Sequence, residues 1–411
     1  MQRPDRERVA CPDCGLVQVM PPARRPCVTE CSRCGGVLAG PATGRVDAPL
    51  ALCMAALLLL VPACAAPLMI ASTYGALRET WLPAAAAAMW NDGFPSLGLL
   101  VGAFSIALPA AFLALLIWVL GNLHFGRRGG LGPAFRWAGH LRPWVMIEVY
   151  LVGCFVAYSR IKVISTVDVE VGGWCLIAAT LALLLALTQL DARTVWQSLD
   201  PRGGAGEPRG PERHAIACTV CDLIVAHRQG VSQHCPRCGA RLHTRKPDSI
   251  RRTAALVAAA YVLYIPANTL PVLTIVRFGR EDRNTILSGV QELMHNHLWP
   301  LAVIVFTASI VLPLIKLFGL TWMLLATRAR SNWLLVGRTR LYRMIDLVGR
   351  WSNIDVFMVS VLVAILQFGA VTSVHAGNGL VAFAAVVIIT MIATEVFDSR
   401  LMWDGARRAD G

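Results

Sequence analysis

What most limits the folds open to this chain is a set of eight apolar blocks, at about 48 to 72, 97 to 121, 144 to 164, 172 to 190, 254 to 276, 298 to 326, 354 to 374 and 378 to 397. Blocks of ~20 residues match the ~30 Å hydrocarbon core of a bilayer at 1.5 Å rise per residue. They are continuously apolar rather than alternating, which predicts helices and not the strands of a barrel. Only 15% of the residues are charged and the mean hydropathy is +0.57, so a soluble domain of this size is excluded. The predicted fold is an all-α integral membrane protein: eight transmembrane helices in two tandem four-helix bundles, each preceded by a small cytoplasmic zinc ribbon.

The ribbons follow from cysteine spacing. Cys11 and Cys14 form one CxxC knuckle, and Cys31 and Cys34 another; Cys218 with Cys221, and Cys235 with Cys238, repeat the pattern later. Each knuckle offers two thiolates from one tight turn, so two knuckles make a tetrahedral four-thiolate site. In a reducing compartment such cysteines are metal ligands and not disulfides. Zinc, two per chain, is expected, with a rubredoxin-like iron site as the competitor. Cys27 is a spare thiol. Cys53, Cys64, Cys154 and Cys175 lie inside spans and are expected to pack as small apolar residues.

The repetition extends beyond the knuckles. Cys11 and Cys218 are 207 apart; Pro62 and Pro266, Pro67 and Pro271, Gly75 and Gly279, and Pro109 and Pro313 are each 204 apart. Trp144 with Glu148 matches Trp351 with Asp355, and Asp191, Arg193 and Trp196 match Asp398, Arg400 and Trp403, at 207 again. One unit has been duplicated: ribbon, two spans, basic loop, two spans. An even number of spans per unit sets the two parallel, related by an axis along the membrane normal. The expected divisions are ribbon 1 at 1–47, bundle 1 at 48–196, a Gly/Pro-rich linker at 197–217, ribbon 2 at 218–247, bundle 2 at 248–404 and a tail at 405–411. Pro62 and Pro67 in the first span, and Pro266 and Pro271 in the fifth, are expected to kink or break their helices.

Residues 1 to 47 are polar and do not read as a signal peptide. Arg127, Arg128, Arg136 and Arg142 occupy one short loop, and Arg328, Arg330, Arg338, Arg340, Arg343 and Arg350 another, whereas 165 to 171 carries only Asp168 and Glu170. Basic loops stay in the cytoplasm, so both termini and both ribbons are expected there. The net charge of +13 is then mainly a topology signal that also suits anionic phospholipid headgroups; it does not indicate nucleic acid.

Inside the second bundle lie ionisable residues that a bilayer tolerates only for cause. Lys316 sits in the sixth span and Asp355 at the start of the seventh. Burying either charge without a partner costs roughly 2.5 kcal/mol or more. Ser309 and Lys316 share one helix face, Ser352 and Asp355 another, and Thr390 lies in the eighth span. These five residues are predicted to converge into a polar network, with Lys316 as cation and Asp355 as its counter-ion or proton acceptor. The first bundle keeps Ser105 and Glu148 but has Phe112, Val145 and Leu183 in place of Lys316, Ser352 and Thr390. Activity is therefore expected in the second half. No phosphate-cradling loop, HExxH motif or nucleophile elbow occurs, so no enzyme is read here. His295 and His297 are taken as ordinary polar residues.

YIPANTLPVL (Tyr264 to Leu273), TILSGV (Thr285 to Val290), WPLAVIVFTASIVLPLIKL (Trp299 to Leu317), GRWSNIDVF (Gly349 to Phe357) and FDSRLMWD (Phe397 to Asp404), with the paired ribbons, resemble the paraquat-inducible protein A family. The resemblance covers nearly the whole chain. It implies an inner-membrane component of an intermembrane lipid transport system that passes lipid to or from a periplasmic MCE-domain tunnel. Two titratable groups in a low-dielectric region add proton coupling through Asp355 and Lys316 as an expectation. The alternatives are a non-transporting membrane anchor for the same partner and a rubredoxin-like membrane redox protein.

Overall fold

A computed structural model of the chain describes residues 8–19, 28–39, 46–73, 76–127, 129–162, 166–199, 215–226, 233–277, 280–367 and 372–409. Cys27, Gly75 and Gly279 lie outside the described residues. Eight helices are long and apolar enough to cross a membrane, and the protein is mostly helical. In the first half, short hairpins β1 (Arg8–Ala10) with β2 (Val17–Val19) and β3 (Thr29–Glu30) with β4 (Val37–Ala39) carry the first four cysteines. Then come α1 (Asp47–Ala65), strands β5 (Met69–Thr73) and β6 (Ala76–Thr80), α2 (Leu82–Asn91) and α3 (Pro95–His124). The half closes with α4 (Leu131–Leu141), α5 (Ile147–Ile161), β7 (Thr166–Val169), α6 (Val171–Gln189) and α7 (Ala192–Leu199).

The second half repeats this order. Its hairpin is β8 (Ala215–Ala217) with β9 (Ile224–Ala226). Following it are α8 (Ser249–Thr269), β10 (Leu273–Arg277), β11 (Arg280–Asn284), α9 (Ile286–His295) and α10 (Trp299–Arg328). It ends in α11 (Leu335–Val348), α12 (Ile354–Ile365), β12 (Thr372–Ala376), α13 (Asn378–Val396) and α14 (Leu401–Ala409). Apolar side chains such as Leu58, Val61, Phe155, Val262 and Phe318 point outward, as a lipid-facing exterior requires.

Two antiparallel three-stranded sheets, ordered β6-β5-β7 and β11-β10-β12, were not expected from the apolar blocks. They account for three spans being shorter than read from hydropathy: α1 ends at Ala65 rather than near 72, α8 at Thr269 rather than 276, and α12 at Ile365 rather than 374. Pro62 and Pro266 lie inside helices, but Pro67 and Pro271 fall just beyond the helix ends, correcting their placement within spans. Lacking an N–H, each is suited to the turn from helix to strand. Their carbonyls are taken up the same way in both halves: the Gly172 amide donates to Pro67 O and the Gly379 amide to Pro271 O, each at 3.0 Å. A Cβ on either glycine would meet the Ala66 or Leu270 carbonyl oxygen at 2.5 Å, so only glycine allows this approach. The basic stretches read as loops in fact contain helices α4 and α11.

Helices α3 and α10 each contain one wide π turn, at Ala103–Ala107 and Thr307–Val311, 204 residues apart. Such turns cluster at functional sites. The halves meet along α5 and α12, and every residue of α12 from Ile354 to Ile365 is buried. Gly153 on α5 lets the helices touch: a Cβ there would lie 2.9 Å from Phe357 Cβ and 3.2 Å from the Met358 amide nitrogen. One turn away the Tyr150 and Phe357 rings stack edge-to-face, 5.4 Å between centroids. Small residues serve this role between membrane helices because lipid supplies no hydrophobic drive for their association. Gly153→Leu should therefore destabilise the purified protein by about 1–3 kcal/mol, the usual cost of overpacking. Thermal unfolding in detergent checks it, with Gly139→Ala, whose added Cβ meets nothing within 4 Å, expected to leave the midpoint unchanged.

Candidate functional site

Each cysteine quartet is drawn together and buried. Sγ–Sγ separations are 3.5 Å for Cys11–Cys34, 3.6 Å for Cys14–Cys31, 3.5 Å for Cys218–Cys238 and 3.4 Å for Cys221–Cys235. Within each quartet all four sulfurs lie within 4.8 Å of one another. A tetrahedron with metal–sulfur bonds of about 2.3 Å has sulfur–sulfur edges of about 3.8 Å, so each quartet can hold one metal ion. Hydrogen bonding from Cys14 pulls the Cys11 thiol down to about 5, while burial pushes Cys34 up to about 12.

The ribbons are exchanged between the halves. The first ribbon rests on the second half: Arg343 of α11 donates from Nη2 to Cys34 O at 2.9 Å and from Nη1 to Gly35 O at 3.3 Å, and its Nε lies 2.8 Å from Asp13 Oδ2. Ser399 Oγ donates to Asp13 O, and Arg33 stacks over the Trp403 ring at 4.6 Å. The second ribbon rests on the first half: Arg136 of α4 donates to Cys238 O at 3.3 Å. Arg136 and Arg343 are 207 apart. The duplicated arginine thus grips the carbonyl of the fourth cysteine of the opposite unit's ribbon.

Within the membrane the second half brings two of the five predicted residues together. Ser309 stands in the π turn of α10, fully buried, and its Oγ contacts Asp355 Oδ2 and also donates to Val305 O at 2.6 Å. Asp355, in the first turn of α12 and 3% exposed, leaves its other oxygen, Oδ1, without a protein partner. Lys316 does not pair with it. The lysine lies seven residues, or about 10 Å, further along α10 and donates from Nζ to Gly349 O at 2.7 Å, at the end of α11. That carbonyl lies where α11 passes into the 3-10 stretch Gly349–Asn353, and it takes the place of the expected counter-ion. Thr390 Oγ1 turns back to Val387 O of its own helix, and Ser352 Oγ is buried without a partner.

Asp355 faces a cavity of about 30 Å³, measured at water centres and open on one side, whose walls include Arg160, Thr285, Ile286, Gly289, Met358 and Phe383. That is room for about two waters. Arg160 comes from α5 of the first half, and its buried Nε has no partner. Glu148, the counterpart of Asp355, lies 3.2 Å from Arg350 of the second half. Each half's carboxylate thus looks toward an arginine of the other. Hydropathy missed Arg160, Arg350 and the buried Asn353, whose Nδ2 lies 3.1 Å from the Met146 sulfur. A signal existed for Arg160: it sits at the end of its span away from the arginine-rich loops, where basic residues are under-represented.

The cavity lies where the two halves differ. At the end of α2, Asp92 accepts from the Ala376 amide and lies against His375 Nδ1, both at 2.6 Å, tying the first half to β12. Its counterpart Asn296, at the end of α9, makes no hydrogen bond to β7 among the described residues.

Helices of this length and hydropathy, doubled and joined to four-cysteine ribbons, define a multi-pass membrane protein built from two homologous halves. The chain belongs to the paraquat-inducible protein A family, whose sequence profile matches residues 46–200 and again 250–407, one match on each half and neither including a ribbon. It is 28% identical over 405 residues, 97% of this chain and 96% of the relative, to the "Intermembrane transport protein PqiA" of Escherichia coli. It is 31% identical over 292 residues, 71% of this chain and 67% of the relative, to the "Lipophilic envelope-spanning tunnel protein A" of the same organism. A "Probable intermembrane transport protein" of Haemophilus influenzae is 27% identical over 305 residues, 73% of this chain and 72% of the relative. No solved structure matches the chain. The names place the family in intermembrane transport.

The ribbon exchange predicts crossed effects of metal loss. Cys34→Ser should lower bound metal by one equivalent and speed amide hydrogen exchange in α11 and α14 of the second half, with α4 unchanged. Cys238→Ser should do the reverse. Loosening confined to each ribbon's own half would contradict the exchange.

Proposed function

We propose that this protein is the inner-membrane component of an intermembrane lipid transport system, passing lipid to or from a periplasmic MCE-domain partner. The observation that carries the reading is Asp355: a carboxylate on a fully enclosed helix, half satisfied by Ser309, with its free oxygen facing a cavity between the halves. A group so costly to bury at membrane depth is retained for transport or ion binding far more readily than for packing. The transport names of its relatives, at nearly full length in one case, support the same role. They also favour a transporter over an enzyme.

The arginine-rich segments beside α4 and α11 place both ribbons and both termini in the cytoplasm under the positive-inside rule, and hence the two sheets, α2 and α9 in the periplasm. The quartets Cys11, Cys14, Cys31, Cys34 and Cys218, Cys221, Cys235, Cys238 hold zinc, one ion each, as structural four-thiolate sites. Cavity, Ser309 and Asp355 then lie on the route between the membrane and the periplasmic face. Lys316, Ser352 and Thr390 are buried outside the cavity lining, and their part is to hold the surrounding helices, with Lys316 anchoring the junction of α11 and α12 through Gly349 O. Protonation of Asp355 is the coupling step this arrangement favours, since the carboxylate can accept a hydrogen bond or hold a cation and the neutral acid cannot hold that charge.

The test is lipid transfer between vesicles carrying the reconstituted full chain and acceptors bearing the MCE partner. Asp355→Asn, Ser309→Ala and Lys316→Ala are each expected to cut transfer at least tenfold, the equivalent of one charge-assisted hydrogen bond. Membrane insertion and metal content should stay at wild-type levels. Undiminished transfer in all three variants would reject the polar network as the working site. Metal analysis is expected to show two zinc ions per chain, and a red iron chromophore would favour the redox alternative.

A further inference from the structure

We propose that the cavity between Asp355 and Arg160 is a headgroup site for a zwitterionic lipid bearing a primary ammonium, of the phosphoethanolamine class. The proposal rests on the lipid-transport reading and goes beyond it by naming the ligand and its partners. Asp355 is 3% exposed, and its Oδ1 has no protein partner. Arg160, on the facing wall, has a buried Nε in the same condition. The two lie on walls of the same cavity yet form no ion pair within 4 Å among the described residues.

A ligand that satisfies both must carry both signs. An anionic headgroup would set its charge against Asp355, and a simple cation would be opposed by Arg160. A dipolar group placed with its ammonium at Asp355 Oδ1 and its phosphate at the guanidinium meets each with a charge-assisted hydrogen bond. Size narrows the choice further. A cavity of about 30 Å³ at water centres admits an ammonium and its methylene, comparable to about two waters. A trimethylammonium is wider and has no N–H to give Oδ1. The rest of the lining, Val272, Leu273, Ile286, Met358, Val359 and Phe383, is apolar, so the cavity takes only the ammonium end, and the phosphate is left to the Arg160 Nη atoms, which unlike its Nε are not among the fully buried unpartnered atoms.

The way in is supplied by the difference between the halves. Asp92 fastens α2 to β12 through two contacts of 2.6 Å, whereas α9, which roofs the cavity with Thr285, Ile286 and Gly289, has no matching tie to β7 among the described residues. Gly289 lies under the guanidinium, and an added Cβ would come within 3.8 Å of Arg160 Nη2.

The full-length protein, purified from mixed vesicles of phosphatidylethanolamine and phosphatidylglycerol, provides the test by quantifying the lipid it retains. Wild type should retain phosphatidylethanolamine over phosphatidylglycerol by about tenfold relative to the mixture, as one charge-assisted hydrogen bond implies. N-acetylated phosphatidylethanolamine, which has lost its ammonium, should not be enriched. Arg160→Gln and Asp355→Asn should each abolish the preference, with metal content and unfolding temperature as controls for folding. Retention in proportion to the mixture by the wild type, or an unchanged preference in folded Arg160→Gln, overturns the proposal. Displacement by free phosphoethanolamine at low millimolar concentration overturns the assignment to a lipid. Proportional retention with vesicle transfer intact would sink this site and leave the transport reading standing. A clear preference without transfer would do the opposite.

Discussion

A helix enclosed on every side has nowhere to send a charge, and α12 carries one in its first turn. Asp355 is 3% exposed, so the surrounding helices must supply most of what solvent would. They do so on one oxygen only. The π turn in α10 inserts one extra residue into the helical register and places the Ser309 hydroxyl against Asp355 Oδ2. Helix α5 approaches on the opposite flank because Gly153 has no side chain to hold it away. Satisfying the second oxygen would have made a closed structural pair. Leaving it turned to the cavity beneath α9 keeps a polar group at membrane depth that a ligand or a proton can complete.

Duplication explains how such a site could arise without new architecture. The first half has the same π turn and the same serine, Ser105, whose Oγ donates only to Val101 O at 2.7 Å. Its carboxylate, Glu148, is committed to Arg350 across the interface. Where the second half has Lys316 holding the end of α11, the first has Phe112 packed in the core. A common scaffold with one arm satisfied and the other left open is the arrangement expected when one copy retains stability and its twin takes on the costly residues.

Much of this was legible before any coordinates. Continuous apolar blocks marked the eight spans, and CxxC pairs marked both metal quartets, because each signal lies in a few neighbouring residues. Ser309 and Asp355 were expected to converge with Lys316, Ser352 and Thr390, and of the five only these two meet; they are also the two whose counterparts, Ser105 and Glu148, the first half keeps. The ion pair of Lys316 with Asp355 could not be read correctly. Helical spacing gives the face a residue is on but not the level of the helix opposite it, and the Gly349 carbonyl that receives Lys316 belongs to a stretch with no charge to advertise it. The two sheets were hidden for a related reason: Met69–Thr73 and Leu273–Arg277 are apolar enough to pass for the last turns of a span, and only their partners, β7 and β12, nearly 100 residues away in sequence, show them to be strands. Arg160 was overlooked although it ends its span on the side where basic residues are scarce, because nothing local in the sequence ties it to Asp355, which its own half does not contain.

The ribbon exchange bears on how two halves with a cleft between them can remain one molecule. On the ribbon side each metal module grips the opposite bundle through Arg136 or Arg343. On the sheet side, among the described residues, Asp92 is tied to β12 while its counterpart Asn296 makes no hydrogen bond to β7. The N-terminal end of α9 lines the cavity. A symmetric pair of ties would have closed both sides equally and sealed Asp355 from any ligand. Without the crossed ribbons, separation at α9 would have no fulcrum, since α5 and α12 meet largely through apolar packing that lipid could replace. The cysteine ribbons and the buried carboxylate, far apart in the chain, bear on the same interface: the ribbons cross between the halves, and Asp355 lines the cavity that Arg160 of the first half also lines.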